Sequence, residues 1–327
     1  MHNDLLTNAA RLYQITPDQL TPLSGGHFTH VFQFTLDEQT YVLRITPPNA
    51  DLDYTSMRAC LEWMDYLARH GASIPRPVAS IEGNLIERLV YAGEIYLAVA
   101  FEKIRGVLAE EHPIEAWDPG LIFELGKAVE QMHSLARSHA PEPQYIRPEW
   151  DTIVNCFHHP AADGTPAHIL QKKNQVMETI KALPKEPEHY GLVHSDLHFG
   201  NIFAEPECGK ITLFDFDDCC YGWYVMDLSM ILFDALVLYQ GTDREAFAAR
   251  FFRLFLDGYC HTKPLAPFWL DQVPTFLTLL ELNLYCMLWP AYDRASEEDA
   301  WVASFMKGRK ERIENDVPYV RLELARL

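Results

Sequence analysis

The sequence has little positive charge for its size. Its 327 residues include 27 Lys and Arg residues against 46 Asp and Glu residues, a formal net charge of −19. Proteins that bind nucleic acid contact phosphates through a basic face, and anionic membranes attract basic segments. The composition therefore argues against both partners. A cationic small molecule is compatible with this balance, although many proteins are simply acidic.

Paired cysteines and long apolar runs are also missing. The seven Cys residues form no CxxC pair, and the adjacent Cys219 and Cys220 could hardly bridge each other without strain. The odd count and the lack of a secretory leader predict reduced thiols and a cytoplasmic protein. Asp227 and Asp234 break the longest apolar candidate, 225–239, so no run reaches the roughly 20 residues of a membrane span.

Glycine-rich phosphate loops of the Walker type are absent, because no Gly-Lys-Ser/Thr sequence occurs. Ser24, Gly25 and Gly26 do precede a predicted β-hairpin. Glycines there would let backbone N–H groups approach phosphate oxygens closely. Alone this pattern is weak evidence, since most Gly-Gly pairs are merely turns.

Hydrophobic periodicity divides the chain into a sheet-rich first part and a helical second part about twice as long. Strands are predicted over 28–35, 41–45, 77–81, 85–91 and 95–101, and helices over 4–13 and 56–70. Later helices are predicted over 121–135, 169–183, 227–238, 245–259, 268–289 and 301–326. We expect an α+β protein with a small antiparallel-sheet lobe, 1–102, and a larger mainly helical lobe, 103–327.

The most informative stretch is 194–201, which reads His-Ser-Asp-Leu-His-Phe-Gly-Asn and follows the apolar run 190–193. A second apolar run, 210–214, predicts a strand that ends next to Asp215. Loops after these two strands would bring two carboxylates and one amide to the same side of the sheet, where they could form one site.

Phosphoryl transfer uses this set of groups. Asp196 would orient an attacking hydroxyl or accept its proton, and Asn201 and Asp215 would supply the hard oxygen ligands that suit Mg²⁺. A lone Asp in a loop could simply cap a turn, but a turn cap accounts for neither Asn201 nor Asp215.

A different metal is a second interpretation of the same block. His194, Asp196 and His198 form an H-x-D-x-H string, and on a strand these three side chains would share a face and could bind a transition metal. No further His or Cys cluster of fitting spacing follows, and Asn201 would have no role. This alternative predicts a metal hydrolase.

Three further charged residues need an explanation. Asp217 is either a second metal or substrate ligand or part of a solvated turn. Asp227 lies in an apolar helix, where a buried carboxylate needs partners, and we interpret it as an anchor of the 194–201 loop. Arg44 lies inside an apolar strand, where a phosphate, a helix carboxylate such as Glu62, or water at a sheet edge would satisfy it.

These motifs resemble those of one enzyme group. The block 194–201 is similar to the H-G-D-x-H-x-x-N catalytic loop of the aminoglycoside phosphotransferase and choline kinase group, the small-molecule branch of the protein-kinase-like fold. The sequence at 214–217 resembles the I-D-[FW]-[DE] metal motif of that group, and Asp227 with Leu228 resembles the D-L that follows it. The resemblance extends in order over nearly the whole chain.

The resemblance implies a bilobal protein-kinase-like fold that uses ATP and Mg²⁺. It makes Asp196 the catalytic base and Asn201 and Asp215 the metal ligands. Arg44 would stand where a nucleotide-binding Lys usually stands, and backbone groups near Glu102 and Ile104 would bind adenine. The complete set of expected nucleotide-binding residues is Ser24, Gly25, Gly26, Arg44, Glu102 and Ile104.

The sequence also departs from the pattern of the group. Arg44 replaces the usual Lys, which keeps the charge and changes its geometry. Cys60 stands where the helix usually carries a Glu, so the usual ion pair between strand and helix is in doubt. Ser195 replaces the common Gly of the catalytic loop.

The expected function is phosphoryl transfer from ATP, with Mg²⁺, to a hydroxyl of a small and possibly cationic molecule such as an aminoglycoside, an amino alcohol or a sugar-like compound. We expect a monomer or homodimer with neither a nucleic-acid nor a membrane partner. Two alternatives are a nucleotide-binding pseudokinase and an atypical protein Ser/Thr kinase.

Overall fold

The computed structural model describes residues 3–23, 29–48, 53–156, 164–294 and 300–322. The helices are α1 (Asn3–Arg11), α2 (Tyr54–Arg69), α3 (Pro119–Ala136), α4 (Trp150–Cys156), α5 (Ala167–Lys181), α6 (Tyr224–Leu238), α7 (Arg244–Tyr259), α8 (Pro267–Leu270), α9 (Val273–Arg294), α10 (Ala300–Met306) and α11 (Arg309–Glu314). The strands are β1 (Thr21–Pro22), β2 (His30–Leu36), β3 (Gln39–Thr46), β4 (Pro77–Val78), β5 (Glu87–Tyr91), β6 (Glu94–Glu102), β7 (Val107–Leu108), β8 (Tyr190–Val193), β9 (Ile202–Glu205), β10 (Lys210–Leu213) and β11 (Cys220–Trp223).

The chain forms two compact units. The first comprises the described residues of Met1–Gly106, Ser138–Arg147 and Thr212–Asp217. The second comprises those of Val107–Arg137, Pro148–Ile211 and Asp218–Leu327. The long first segment of the first unit ends at Gly106, whereas the boundary expected from the sequence was at residue 102. Two short later segments also belong to the first unit.

An antiparallel sheet forms the first unit, with strand order β1-β2-β3-β6-β4 and β5 paired to β6. The turn between β2 and β3 consists of Asp37 and Glu38, both in the left-handed region at φ 49° and 66°. A turn of this hand matches the twist of the strands that it joins. Along β3, Leu43 and Ile45 are fully buried. Because side chains alternate along a strand, Arg44 points to the opposite face of the sheet.

The helix α2 begins and ends at clear signals. The side chain of Asp53 accepts a hydrogen bond from the N–H of Ser56 at 2.8 Å, which satisfies one of the free donors of the first turn. Gly71, at φ 86°, lies just past the last turn, as glycine commonly does at helix ends. One face of the helix is buried, and it includes Met57, Cys60 and Leu67.

The second unit is mainly helical and holds two short antiparallel strand pairs, β8 with β11 and β7 with β9. Its helices α3 and α7 cross at very short range. A methyl group built on Gly126 would lie 2.1 Å from the carbonyl oxygen of Phe255, and one on Gly258 would lie 1.9 Å from that of Phe123. No carbon atom fits at such distances, so the crossing requires glycine on both helices.

We expect Gly258→Ala to lower the free energy of unfolding by roughly 2–3 kcal/mol, because the added methyl group must push two backbones apart. Chemical denaturation followed by circular dichroism measures this change. Asp257→Ala, at the exposed neighbouring position, is the control and should stay within about 0.5 kcal/mol of the wild type. Equal stability of the two variants would show that the helices can separate without cost.

Several predicted elements have different ends in the structure. The helix expected over 268–289 is two helices, α8 and α9, because Pro274 lacks the N–H that a continuous helix needs and lies in the first turn of a new one. The helix expected over 301–326 ends at Glu314 and is interrupted by Gly308 at φ 65°. The strand expected over 77–81 ends at Val78. Among the residues described, no helix has the length and apolarity that crossing a bilayer requires.

Candidate active site

The loop 194–201 in the second unit is held by a buried carboxylate. Asp227, on α6, is inaccessible to solvent. Its Oδ2 accepts the N–H of His194 at 2.8 Å, and its Oδ1 accepts the N–H of Ser195 at 2.9 Å. Ser195 is in the left-handed region at φ 73°, a conformation that disfavours residues other than glycine. The predicted role of Asp227 as an anchor of the loop is confirmed, and the anchor holds the strained residue.

Two further buried side chains complete the anchor. His133, on α3, places Nε2 2.9 Å from Oδ2 of Asp227 and Nδ1 2.9 Å from the hydroxyl of Tyr259, on α7. Burial lowers the pKa of His133 and outweighs the nearby carboxylate, so the ring is neutral. A carboxylate only accepts hydrogen bonds. Therefore Nε2–H donates to Asp227, and Nδ1 accepts from the hydroxyl of Tyr259.

Asp196 lies beyond the anchored residues, with 38% of its side chain exposed. The amide Nδ2 of Asn201 donates to the backbone oxygen of Asp196 at 2.9 Å and to its Oδ2 at 3.2 Å. Nε2 of His198 lies 3.5 Å from the same Oδ2. Burial raises the pKa of Asp196, but the hydrogen bond and charge of His198 outweigh it, and the pKa is lowered overall. The carboxylate is therefore ionised at neutral pH.

His198 is surrounded by negative charge. Burial lowers its pKa, but Asp196, Asp234 and Glu110 outweigh burial and raise the pKa to about 9. The N–H of Gly200 lies 3.1 Å from Nδ1 of His198, and this contact favours a ring whose proton is on Nε2. In either protonation state Nε2–H faces Asp196.

Asp234 is a functional residue that the sequence analysis missed. Its Oδ2 accepts the N–H of Phe199 at 2.7 Å, so α6 holds the loop at a second point. Burial raises the pKa of Asp234. The signal was present in the sequence, because Asp227 and Asp234 are seven residues apart and therefore lie on the same face of an otherwise apolar helix.

The residues that follow β10 belong to the first unit and include Asp215 and Asp217. Asp215 is left-handed at φ 62°, and 47% of its side chain is exposed. Arg44, with 14% of its side chain exposed, makes two hydrogen bonds to Asp217, at 2.7 and 2.9 Å. Its Nη1 lies 3.7 Å from Oδ1 of Asp215. Burial lowers the pKa of Arg44, but the two carboxylates raise it above its usual range.

The structure corrects one proposed partner of Arg44. Glu62, the expected partner on helix α2, does not bind Arg44. It pairs instead with Arg58, one helical turn before it, at 2.9 Å. Glu62 and Arg58 lie on the same helical face because they are four residues apart. The interpretation of Arg44 as an edge residue that points to water is also wrong, because its side chain is largely buried and paired.

The end of β6 leads to a cavity in the first unit. The cavity has a volume of about 360 Å³ and is lined by Glu38, Gln39, Thr40, Lys103, Ile104 and Arg105. Of the two backbone positions expected to bind adenine, Ile104 lines this cavity. The N–H of Glu102 donates to the backbone oxygen of Arg76 at 3.0 Å, so this N–H is already used within the protein.

The remaining expected residues, Ser24, Gly25 and Gly26, lie outside the described residues. The two expected metal ligands can each be described within its own unit. Both hydrogen bonds of Asn201 use its amide nitrogen, which leaves the oxygen as the atom for a cation, and Asp215 offers a half-exposed carboxylate. Each of these is a hard oxygen ligand of the kind that Mg²⁺ prefers.

The transition-metal interpretation finds no support in the described ranges. No group of three His, Cys, Asp or Glu side chains within them could hold a metal ion. The backbone N–H of His194 donates to Asp227, and the ring atom Nε2 of His198 faces Asp196.

Comparison with known proteins places these features in context. The phosphotransferase enzyme family matches residues 19–265, well over half of the chain. The chain is 32% identical to the amicoumacin kinase of Bacillus subtilis (strain 168) over 333 residues, which cover 99% of this chain and 95% of that protein.

Two solved structures are similar over almost their whole length. The amicoumacin kinase hAmiN, in complex with AMP-PNP, Ca²⁺ and Ami, has a TM-score of 0.86 and 28% identity, with coverage of 99% of this chain and 96% of that one. A microcompartment-associated aminopropanol kinase has a TM-score of 0.74 and 18% identity, with coverage of 96% and 98%. The kinase-like fold predicted from the sequence is confirmed.

Proposed function

We propose that this small-molecule kinase, which belongs to the phosphotransferase enzyme family, transfers the γ-phosphoryl group of ATP to a hydroxyl group of its acceptor. The observation that carries the proposal is the state of Asp196. Its carboxylate is ionised and partly exposed, and it lies on a loop that α6 holds at two points. A general base needs this combination of charge, access and fixed position.

Asp196 acts on the acceptor. Its carboxylate accepts the hydrogen bond of the acceptor hydroxyl and takes the proton as the oxygen bonds to the γ-phosphorus. The bond from that phosphorus to the bridging oxygen breaks, and ADP leaves with the electron pair. The proton then passes from Asp196 to water. His198 and Asn201 orient the carboxylate during this step, because each of them contacts Oδ2.

Other residues bind the nucleotide. Arg44 binds phosphate oxygens, and backbone groups of Ile104 and Glu102 bind adenine. Asn201, in the second unit, and Asp215, in the first, are the residues that would each offer an oxygen ligand to a divalent metal. When bound, the metal neutralises negative charge on the phosphate oxygens. The relative that was solved with AMP-PNP and Ca²⁺ supports a nucleotide and a divalent cation, and Mg²⁺ suits the two oxygen ligands offered here.

The Bacillus subtilis relative supports one choice of acceptor. An identity of 32% over 99% of the chain favours amicoumacin or a related molecule. The net charge of −19 is compatible with an acceptor that carries an amine.

The test is release of ADP from MgATP with one acceptor at a time: amicoumacin, aminoglycosides, choline, ethanolamine, homoserine and sugars. We expect turnover with amicoumacin, and a product that is heavier by one phosphoryl group in mass spectrometry. Turnover with only a small amino alcohol would reassign the acceptor. Tight nucleotide binding without any product would indicate a pseudokinase, and labelling of a generic protein substrate would indicate a protein kinase.

A further inference from the structure

The ion pair between Arg44 and Asp217 has the geometry of a fork. Nη1 of Arg44 lies 2.7 Å from Oδ2 of Asp217, and Nη2 lies 2.9 Å from Oδ1. The carboxylate therefore binds the outer end of the guanidinium group with both oxygens. Such bidentate pairs fix the orientation of the Arg side chain as well as its charge. A Lys ammonium group, which is a single point of charge, could not form this pair.

The helix α2 offers no carboxylate to Arg44. Cys60 occupies the position where a partner was expected, and Glu62 is paired with Arg58. The partner of the strand cation comes instead from the segment that follows β10. Asp217 thus replaces the missing helix carboxylate, and it lies two residues after the proposed metal ligand Asp215.

The helix nevertheless supports the pair indirectly. The thiol of Cys60 donates to the backbone oxygen of Phe216 at 3.3 Å. Arg147 donates to the backbone oxygen of Asp217 at 2.5 Å and to that of Ser56, in the first turn of α2, at 3.0 Å. Both backbone oxygens next to the Asp217 side chain are therefore tied to the helix or to a residue that binds it. These contacts fix the backbone from which Asp217 reaches Arg44.

The edge of the guanidinium group that contains Nε is not bound by Asp217. Nε of Arg44 is buried and has no hydrogen-bond partner in the part of the chain that the structure describes. A buried donor without a partner is destabilising. Because Asp217 binds the outer end of the fork, Nε–H and one further N–H remain on the side edge for a second oxyanion. An Arg can hold a carboxylate and a phosphate at the same time in this way.

We propose that Asp217 is a positioning residue that holds Arg44 by the outer end of its guanidinium group and so presents the Nε edge to a phosphate oxygen of the nucleotide. The proposal rests on the proposed function, since it assumes that Arg44 binds nucleotide phosphate. It also explains the departure from Lys at position 44. A Lys ammonium group has donors left after it binds a carboxylate, but it lacks the planar fork that fixes the direction of the remaining N–H groups.

A double-mutant cycle tests the proposal through binding of AMP-PNP, measured by calorimetry at several Mg²⁺ concentrations. We expect Asp217→Asn to weaken binding by about tenfold or more, and Arg44→Met to weaken it at least as much. In the Arg44→Met background, Asp217→Asn should change the affinity by less than about twofold, because Asp217 acts through Arg44. Arg44→Lys should resemble Arg44→Met. Glu62→Gln is the matched control and should bind like the wild type.

Three outcomes would overturn the proposal. If Asp217→Asn weakens binding equally in the Arg44→Met background, and the loss depends on the Mg²⁺ concentration, Asp217 is a metal ligand. If Arg44→Met binds like the wild type, Arg44 does not hold the phosphate. If Glu62→Gln weakens binding as Asp217→Asn does, the helix supplies the partner after all.

Two further measurements keep these outcomes apart from misfolding and from failure of the proposed function. The variant Arg44→Met/Asp217→Asn removes both charges of the pair, and Arg44→Met leaves only the partly exposed Asp217 carboxylate. Comparing these two variants therefore shows whether Asp217 acts independently of Arg44 even where Asp217→Asn alone does not fold. Acceptor turnover by the Arg44→Met variant at saturating ATP shows whether the kinase reaction persists. Failure of the wild type to bind AMP-PNP would overturn both proposals together.

Discussion

Replacement of Asp196 by Asn is expected to lower kcat by roughly 10²- to 10⁴-fold, the usual contribution of a general base. Asn has nearly the shape of Asp and keeps an oxygen that can accept the hydrogen bond from the amide of Asn201, so the loop retains its geometry. It cannot take the proton of the acceptor hydroxyl. Steady-state kinetics with the acceptor found in the screen measures the loss of kcat, and calorimetry with AMP-PNP measures nucleotide affinity.

Nucleotide affinity separates this role from a structural one. We expect it to change by less than about threefold, because an interaction made only in the transition state affects kcat and not ground-state binding. Asp316→Asn is the control. Asp316 pairs with Lys172 at the surface and is left-handed at φ 53°, a conformation that Asn tolerates well, so its kcat should stay at the wild-type value. Unchanged turnover in Asp196→Asn would refute Asp196 as the base.

Removal of the anchor, by Asp227→Ala, should affect both stability and activity. Three buried donors lose their acceptor, namely the N–H groups of His194 and Ser195 and Nε2–H of His133. Breaking a buried network of this kind costs about 3–5 kcal/mol. Because Ser195 is strained, its loop should relax when the carboxylate is removed, and kcat should fall with the free energy of unfolding. Chemical denaturation and kinetics on the same sample measure the two losses.

The conservative variant Asp227→Asn separates the effect of losing the charge from the effect of losing the whole anchor. In Asp227→Asn one oxygen remains, but the amide nitrogen must face at least one of the three N–H donors. We therefore expect losses of stability and of kcat that are smaller than those of Asp227→Ala. Ser229→Ala serves as the control, because Ser229 is buried on the same helix and its hydroxyl donates to the backbone oxygen of Val225 within that helix. Its stability should fall by about 1 kcal/mol. Wild-type stability in Asp227→Ala would mean that the loop holds its shape without the anchor.

The sequence predicted that Asp196 and Asn201 lie together because the two residues are close along the chain. Asp196 and Asn201 are separated by only four residues, and their contact follows from a single turn of backbone. The same holds for Asp227, whose position in an apolar helix required a polar partner. Residue type and local spacing are sufficient where the interaction is local or where a buried charge has few places to go.

Contacts between distant parts of the chain could not be predicted in the same way. The bond between Arg44 and Asp217 joins residues that are 173 positions apart, and only the folded sheet shows that Asp217, and not Glu62, reaches the guanidinium group. His133 and Tyr259 lie on two helices whose close crossing depends on Gly126 and Gly258. Periodicity shows which face of each helix is buried, but it does not show which neighbour covers it.

The bonds from His194 and Ser195 to Asp227 also bear on hydrogen exchange. Amides in a loop usually exchange with solvent through small local openings, whereas amides of the core exchange only when a large part of the fold opens. Here the acceptor is a fully buried carboxylate that also binds His133. The two loop amides should therefore exchange as slowly as those of α6, while Asp196, one residue further on, remains at the solvent.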